Sequence, residues 1–186
     1  MQPLDNVITL QDKTMLLNKA LYNPVGEGVT HINIYSKAKT ELGLLLTNFA
    51  RTPINHPEFG HFESLEGLWY WLGTGKRHDV LRTLYGYKAK QIGKSFERIN
   101  NPDFQKEFES GLEVKFSSHP RIAELFKNTS VPLVHYYWFG TIDNYRLVIP
   151  TGSDWFTKWW QDKHLSFTDD RTRLWKQTEN KFEKME

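Results

Sequence analysis

Between Ser64 and Phe126 the chain runs through four successive apolar stripes at helical spacing, each closed off by glycine, proline or asparagine. Such stripes are stable only when they pack on one another or on a sheet, so this block dictates a helix-rich centre. Ser64 is placed as a helix N-cap, with Leu65, Leu68, Trp69 and Leu72 following at i, i+3, i+4 and i+7. Gly73-Thr74-Gly75 should end that helix. The second stripe predicts a helix from about Asp79 to Gly93, with Leu81, Leu84, Tyr85, Ala89 and Ile92 on one face. Asp103 is the candidate cap of the third, whose Phe104, Phe108, Leu112 and Phe116 recur every fourth residue. A shorter helix begins near Pro120, whose fixed φ suits a first helical turn, and contributes Ile122, Leu125 and Phe126.

The flanks read differently. His31 to Ser36 alternates Ile32 and Ile34 with polar neighbours, which predicts a strand. Val131 to Phe139 and Tyr145 to Ile149 are rich in β-branched and aromatic residues and predict two more, with Pro132 at the start of the first. Asp154 to Trp160 places Trp155, Phe156, Trp159 and Trp160 at helical spacing. The expected class is therefore α+β: a single compact domain with a helix-rich middle and a small sheet. It divides into a leader over 1–30 packed on the domain, the domain proper over 31–167, and a charged helix or tail over 168–186. That tail holds five basic and five acidic residues.

Composition removes several classes. With no cysteine, disulfide scaffolds, thiolate zinc sites, iron–sulfur clusters and cysteine nucleophiles are excluded. A net charge of +2 argues against a strongly basic nucleic-acid binder, although a local patch is compatible with it. The first thirty residues show no secretory pattern and no apolar run approaches the ~20 residues needed to cross a bilayer. The expectation is a soluble, cytoplasmic protein without membrane contact. Aromatics make up 15% of the residues, which suits a pocket as well as a core.

Familiar catalytic signatures are missing. Gly73-Thr74-Gly75-Lys76 lacks the spacing of a phosphate loop, and Arg77 stands where a hydroxyl would hold magnesium. The seven histidines form no HExxH pair, and no GxSxG elbow occurs. His56 and His61, in a loop with Glu58 and Glu63, read as a solvated cluster. Glu66 is more informative because it stands among Leu65, Leu68, Trp69, Tyr70, Trp71 and Leu72. If desolvated there, its carboxyl would have a raised pKa suited to acid–base work; alternatively it simply complements the helix dipole. The segment from Lys76 to Arg98 holds seven basic residues against Asp79 and Glu97, a local +5. It reads either as a solvated face, with Lys88 snorkelling from the apolar stripe, or as a phosphate or nucleic-acid contact surface. Lys115, on the apolar side of its helix, either snorkels or reaches an anionic ligand.

In order, these segments resemble the NADAR family, named for a predicted NAD and ADP-ribose connection, over about residues 31 to 140. The family's I-x-F-Y-S and S-N-F correspond to Ile32-Asn33-Ile34-Tyr35-Ser36 and Thr47-Asn48-Phe49-Ala50. Its S-x-E helix start corresponds to Ser64-Leu65-Glu66, leading into Trp69 and Tyr70. Its A-x-x-x-G-R resembles Ala89 to Lys94, and its A-L-x-x-K-F resembles Gly111 to Phe116. The chain departs from the pattern in three places. A late lysine of the Glu-bearing helix is replaced by Gly73 or a near neighbour, and the arginine of G-R is Lys94, which lacks the bidentate fork. Of D-x-x-W-G, Trp138 and Gly140 remain but the aspartate does not, leaving Asp143 or Asp154 to compensate.

The resemblance implies a NADAR-like fold and cleavage of a ribose C1–nitrogen bond, with no metal or cofactor required. Substrates in the family are ADP-ribosylated guanine in nucleic acid or phosphoribosylamino riboflavin intermediates, and phage-type members are associated with reversing DNA ADP-ribosylation by host defence toxins. On this reading Glu66 is the catalytic carboxylate, while Tyr35, Ser36, Asn48, Phe49, Trp69, Lys88, Lys90, Lys94, Lys115 and Trp138 bind the ligand. The expected partner is ADP-ribosylated DNA or a small molecule containing ADP-ribose. Other readings are a non-catalytic ADP-ribose or nucleic-acid binding module, and an interaction protein docking through the tryptophans of 155–160.

Overall fold

Ser64 begins the helix around which the core is built: its Oγ accepts the Gly67 amide at 3.1 Å, opening a helix over Leu65–Gly73. Leu65, Leu68 and Leu72 have no exposed surface. A computed structural model describes residues 21–141, 143–150 and 154–167. Its described elements run β1 (Ile32–Asn33), α1 (Glu41–Leu46), β2 (Ile54–His56), β3 (Gly60–Phe62), α2 (Leu65–Gly73), a 3-10 turn (Asp79–Thr83) and α3 (Gly86–Lys94). They continue with α4 (Phe104–Ser118), α5 (Pro120–Lys127), β4 (Leu133–Val134), β5 (Tyr137–Thr141), β6 (Asn144–Val148) and a helix α6 over 154–167. The class is α+β. The expected tail over 168–186 and the first twenty residues of the leader lie outside the described residues.

The helices of the centre pack around α2, with Phe108 and Leu112 of α4, Ile122 and Phe126 of α5, and Trp160 of α6 all fully buried. Glycines permit the closest approaches. A Cβ on Gly67 would lie 2.3 Å from the Leu81 carbonyl oxygen, and one on Gly93 would lie 2.1 Å from the Tyr70 ring. The aromatic face of 154–160 turns inward, burying Phe156 and Trp160 while Trp155 and Trp159 pack against the core.

Three expectations are corrected. The helix expected over 79–93 is broken: Leu84 is extended and Gly86 adopts φ +55° before α3 begins. Two bonds from the start of α2 hold this segment, Glu63 N–H to the Arg82 carbonyl at 2.8 Å and Ser64 Oγ to the Leu84 carbonyl at 3.0 Å. The strand expected over 131–139 divides into β4 and β5 because Asn33 takes over the backbone of Tyr136. Its Nδ2 donates to the Tyr136 carbonyl and its Oδ1 accepts the Tyr136 amide, both at 3.1 Å. Instead of one small sheet, three two-stranded ladders form: β1 with β4 in parallel, β2 with β3 and β5 with β6 antiparallel.

His56 is also not solvated. It is 6% exposed and stacks on Phe59 at 4.2 Å. Its Nδ1 accepts the Glu58 and Phe59 amides, which puts the ring proton on Nε2 facing Ser110 Oγ at 2.9 Å. The ring therefore donates to the serine and does not act as its base.

Candidate active site

Glu66 lies in the first turn of α2, where the helix backbone aims it towards the turn Thr47-Asn48-Phe49 that follows α1. Its own amide donates to the Asn48 carbonyl at 2.9 Å, so the carboxylate and the turn are locked together. From the opposite side Lys115 supports the same turn: fully buried on α4, its Nζ donates to the Thr47 carbonyl at 2.9 Å. Lys115 thus does not snorkel, and it is not among the residues lining the cavity in front of Glu66. Burial pushes its ammonium down to about 7.

A cavity of about 220 Å³ opens in front of Glu66. Phe49, Trp69, Tyr70, Tyr137 and Phe156 supply its rings; Thr47, Asn48, Lys90 and His135 supply its other polar groups. Glu66 is the one carboxylate among the described lining residues, and it is 7% exposed. Desolvation raises its pKa to about 7, against the opposing pull of Lys90 and Lys94. The carboxyl group is thus poised to hold or release a proton near neutrality. Asn48 Oδ1 is buried and accepts no hydrogen bond from any described residue, which leaves an acceptor for a ligand N–H or O–H.

Of the residues singled out in the sequence, Glu66, Asn48, Phe49, Trp69 and Lys90 line this cavity. Lys94 does not line it but lies close enough to bias the Glu66 charge. Tyr35 stands behind the wall, edge-on to Tyr137 at 5.3 Å. Ser36 and Lys88 are exposed and outside the lining. The break at Gly86 changes the helical phase, so the stripe that would have buried Lys88 does not exist. Trp138 is half-buried outside the cavity, because alternation along β5 gives that face to Tyr137. Elsewhere in the basic segment, Lys76 pairs with Glu107 at 2.5 Å, and Arg82 bonds Asp79 and lies over the Phe62 and Trp71 rings. These charges are structural.

Thr47, Tyr70, His135, Tyr137 and Phe156 also line the cavity but were not assigned to the site from the sequence. Tyr70 was legible in principle, being one helical turn after Glu66. The other four reach the cavity through tertiary contacts that no local period reveals. Neither Asp143 nor Asp154 lines the cavity; the position three before Trp138 is His135, which does. Gly73 carries no side chain, and Arg98 covers it instead, with Nη2 3.0 Å from where a Cβ would stand.

No helix among the described residues is long and apolar enough to cross a membrane. No protein-family profile matches the chain, and no curated protein matches it. Among solved structures, the NMR structure of the E. coli protein YbiA matches with a TM-score of 0.54 at 16% identity, over 82% of this chain and 95% of YbiA. The chain is similar to YbiA in fold, and its α+β architecture is NADAR-like.

Proposed function

We propose that this protein is an N-glycosidase that hydrolyses the bond between ribose C1 and a base nitrogen, with ADP-ribosylated guanine in DNA as its substrate. The observation that carries the reading is a single buried carboxylate, Glu66, raised to about 7 in a ring-lined cavity beside Lys90. The choice of substrate class rests on the resemblance of the ordered motifs to the NADAR family, and the shared fold is compatible with it.

The chemistry asks little of the protein. As the C1–N bond breaks, its electron pair leaves with the base nitrogen and positive charge develops at the sugar. A carboxylate beside C1 stabilises that charge, most effectively where water is excluded. Glu66 then takes a proton from the water whose oxygen bonds C1, and passes it on to the departing nitrogen. Rings such as Trp69 and Tyr137 flank the sugar or base, and Lys90 offers a cation to the phosphates. Asn48 Oδ1 accepts from a sugar hydroxyl.

The test is incubation with an oligonucleotide ADP-ribosylated on guanine, followed by mass spectrometry, with Glu66→Gln alongside. Release of ADP-ribose by the wild type and a loss of about 10²-fold or more in the variant is expected. Full activity in Glu66→Gln would remove Glu66 as the catalyst. No release by either protein, with ribose 5-phosphate competing for the site as well as ADP-ribose, would turn the reading to a small phosphoribosylamino metabolite. Binding of ADP-ribose without turnover would leave a non-catalytic module.

A further inference from the structure

A second chamber, of about 340 Å³, shares His135 with the Glu66 cavity. The Glu66 cavity alone is smaller than the roughly 300–1,000 Å³ usual for small-molecule sites, whereas the two together fall within that range. His135 is the residue common to both linings, so a ligand that reaches from one cavity into the other would pass this imidazole.

His135 is held for such a crossing. Its Nδ1–H donates to the Ile34 carbonyl at 2.5 Å, which leaves Nε2 with a lone pair, and no described residue bonds that atom. Burial lowers its pKa and keeps the ring neutral, an acceptor for a hydroxyl. Beyond the ring, Val134 and Ile149 give apolar walls. Gln161 Oε1 accepts the Leu133 amide at 2.8 Å, so its amide nitrogen is the end left to donate. Asp154 supplies a carboxylate acceptor, and Lys158 has its charge matched by Asp162. The chamber thus offers a carboxylate acceptor, an amide donor and a lysine already paired with Asp162. It suits a flat, uncharged heterocycle that carries both N–H donors and a carbonyl.

We propose that this second chamber receives the leaving base of the substrate, its N–H groups on Asp154 and its carbonyl on Gln161, while the attached sugar crosses His135 to reach Glu66. The proposal rests on the glycosidase reading and adds where the base goes: phosphates lie towards Lys90 and the base on the far side of His135. Guanine, with neighbouring N–H donors and a carbonyl oxygen, has the required pattern.

Binding measured in the Glu66→Gln background separates the two ideas, because the uncleaved substrate can then be titrated. The probes are the guanine-ADP-ribosylated oligonucleotide, which carries the base, and free ADP-ribose, which lacks it. Asp154→Asn and the chamber-filling Thr157→Trp should each weaken the oligonucleotide tenfold or more while leaving ADP-ribose binding within twofold. Retained ADP-ribose binding also shows that each variant is folded. Unchanged oligonucleotide binding in Asp154→Asn, or equal weakening of both probes in both variants, would overturn the base subsite and leave the glycosidase reading standing. Failure of Glu66→Gln and wild type to bind either probe would overturn both.

Discussion

A glutamate that is 7% exposed must either be paired or keep its proton, and Glu66 takes the second course. The physical reason is its neighbourhood: rings on several sides, and lysines near enough to pull against desolvation without cancelling it. The catalytic form in the proposed reaction is the carboxylate. Activity should therefore rise with pH through a midpoint near 7, and Lys90→Met should move that midpoint upward by removing a cation that favours ionisation. A profile flat between pH 5.5 and 8.5 would show that ionisation of Glu66 does not control turnover. The same shift has a consequence for stability. Between pH 4.5 and about 7 the unfolded chain releases the Glu66 proton while the folded chain keeps it, so stability falls as pH rises through this window. Glu66→Gln should then be more stable than wild type at pH 8, by up to about 3 kcal/mol at 1.36 kcal/mol per unit, with the difference gone by pH 4. Urea titrations at the two pH values check this, and an equal difference at both would show that burial of the charge is not its source. Glu66 was legible in the sequence because rings surround it within one helix. Lys90 could not be told from Lys88 there, since the phase that separates them depends on the positive φ of Gly86.

At the scale of elements, the site depends on how closely α3 approaches α2. Lys90 reaches the cavity only because Gly93, one turn further along α3, lets the helix settle against Tyr70. A methyl group at Gly93 would stand 2.1 Å from the Tyr70 ring, and Tyr70 is itself a cavity wall. Gly93→Ala should destabilise the fold by about 1–3 kcal/mol through overpacking, despite the better helix propensity of alanine. It should also raise KM more than it lowers kcat, because what moves is the lysine and not the carboxylate. Denaturation together with steady-state kinetics checks both parts; a stabilised Gly93→Ala would show that the helices have room to give. The ends of α2 and the start of α5 follow from Ser64, Gly73-Thr74-Gly75 and Pro120 for local reasons, whereas Asp103 stands at the N-cap position of α4 without its side chain making a capping bond. The division of 79–93 has no such local reason, because the competing bonds come from Glu63 and Ser64, distant in sequence.

At the scale of the whole molecule, the two flanks of the helical block are brought together by a ladder of two residues on each side, Ile32 with Leu133 and Asn33 with Val134. So short a parallel pair is weak on its own account, and side chains carry the junction. Asn33, with no exposed surface, satisfies both backbone groups of Tyr136, and His31 Nε2 meets the Tyr136 hydroxyl at 2.8 Å. His135, next in the chain, is thereby fixed with its Nδ1 on Ile34, and Tyr137 is delivered to the cavity. The strand expected over His31 to Ser36 shortens to Ile32–Asn33, and His31 to Tyr35 are all buried while Ser36 is exposed, so the polar residues of this segment hold the flanks together. Asn33→Ala leaves a buried amide and a buried carbonyl of Tyr136 without partners, each costing about 1–3 kcal/mol. The expected loss is thus several kcal/mol, while Asn33→Asp, which keeps an acceptor for the Tyr136 amide but loses the donor, should recover part of it. Because the junction orders His135 and Tyr137 and not Glu66, Asn33→Ala examined below its melting temperature should lose substrate affinity while the pH midpoint near 7 stays in place. A displaced midpoint would mean instead that the closure of the flanks also sets the environment of the carboxylate, and that the cavity and the ladder form one cooperative unit.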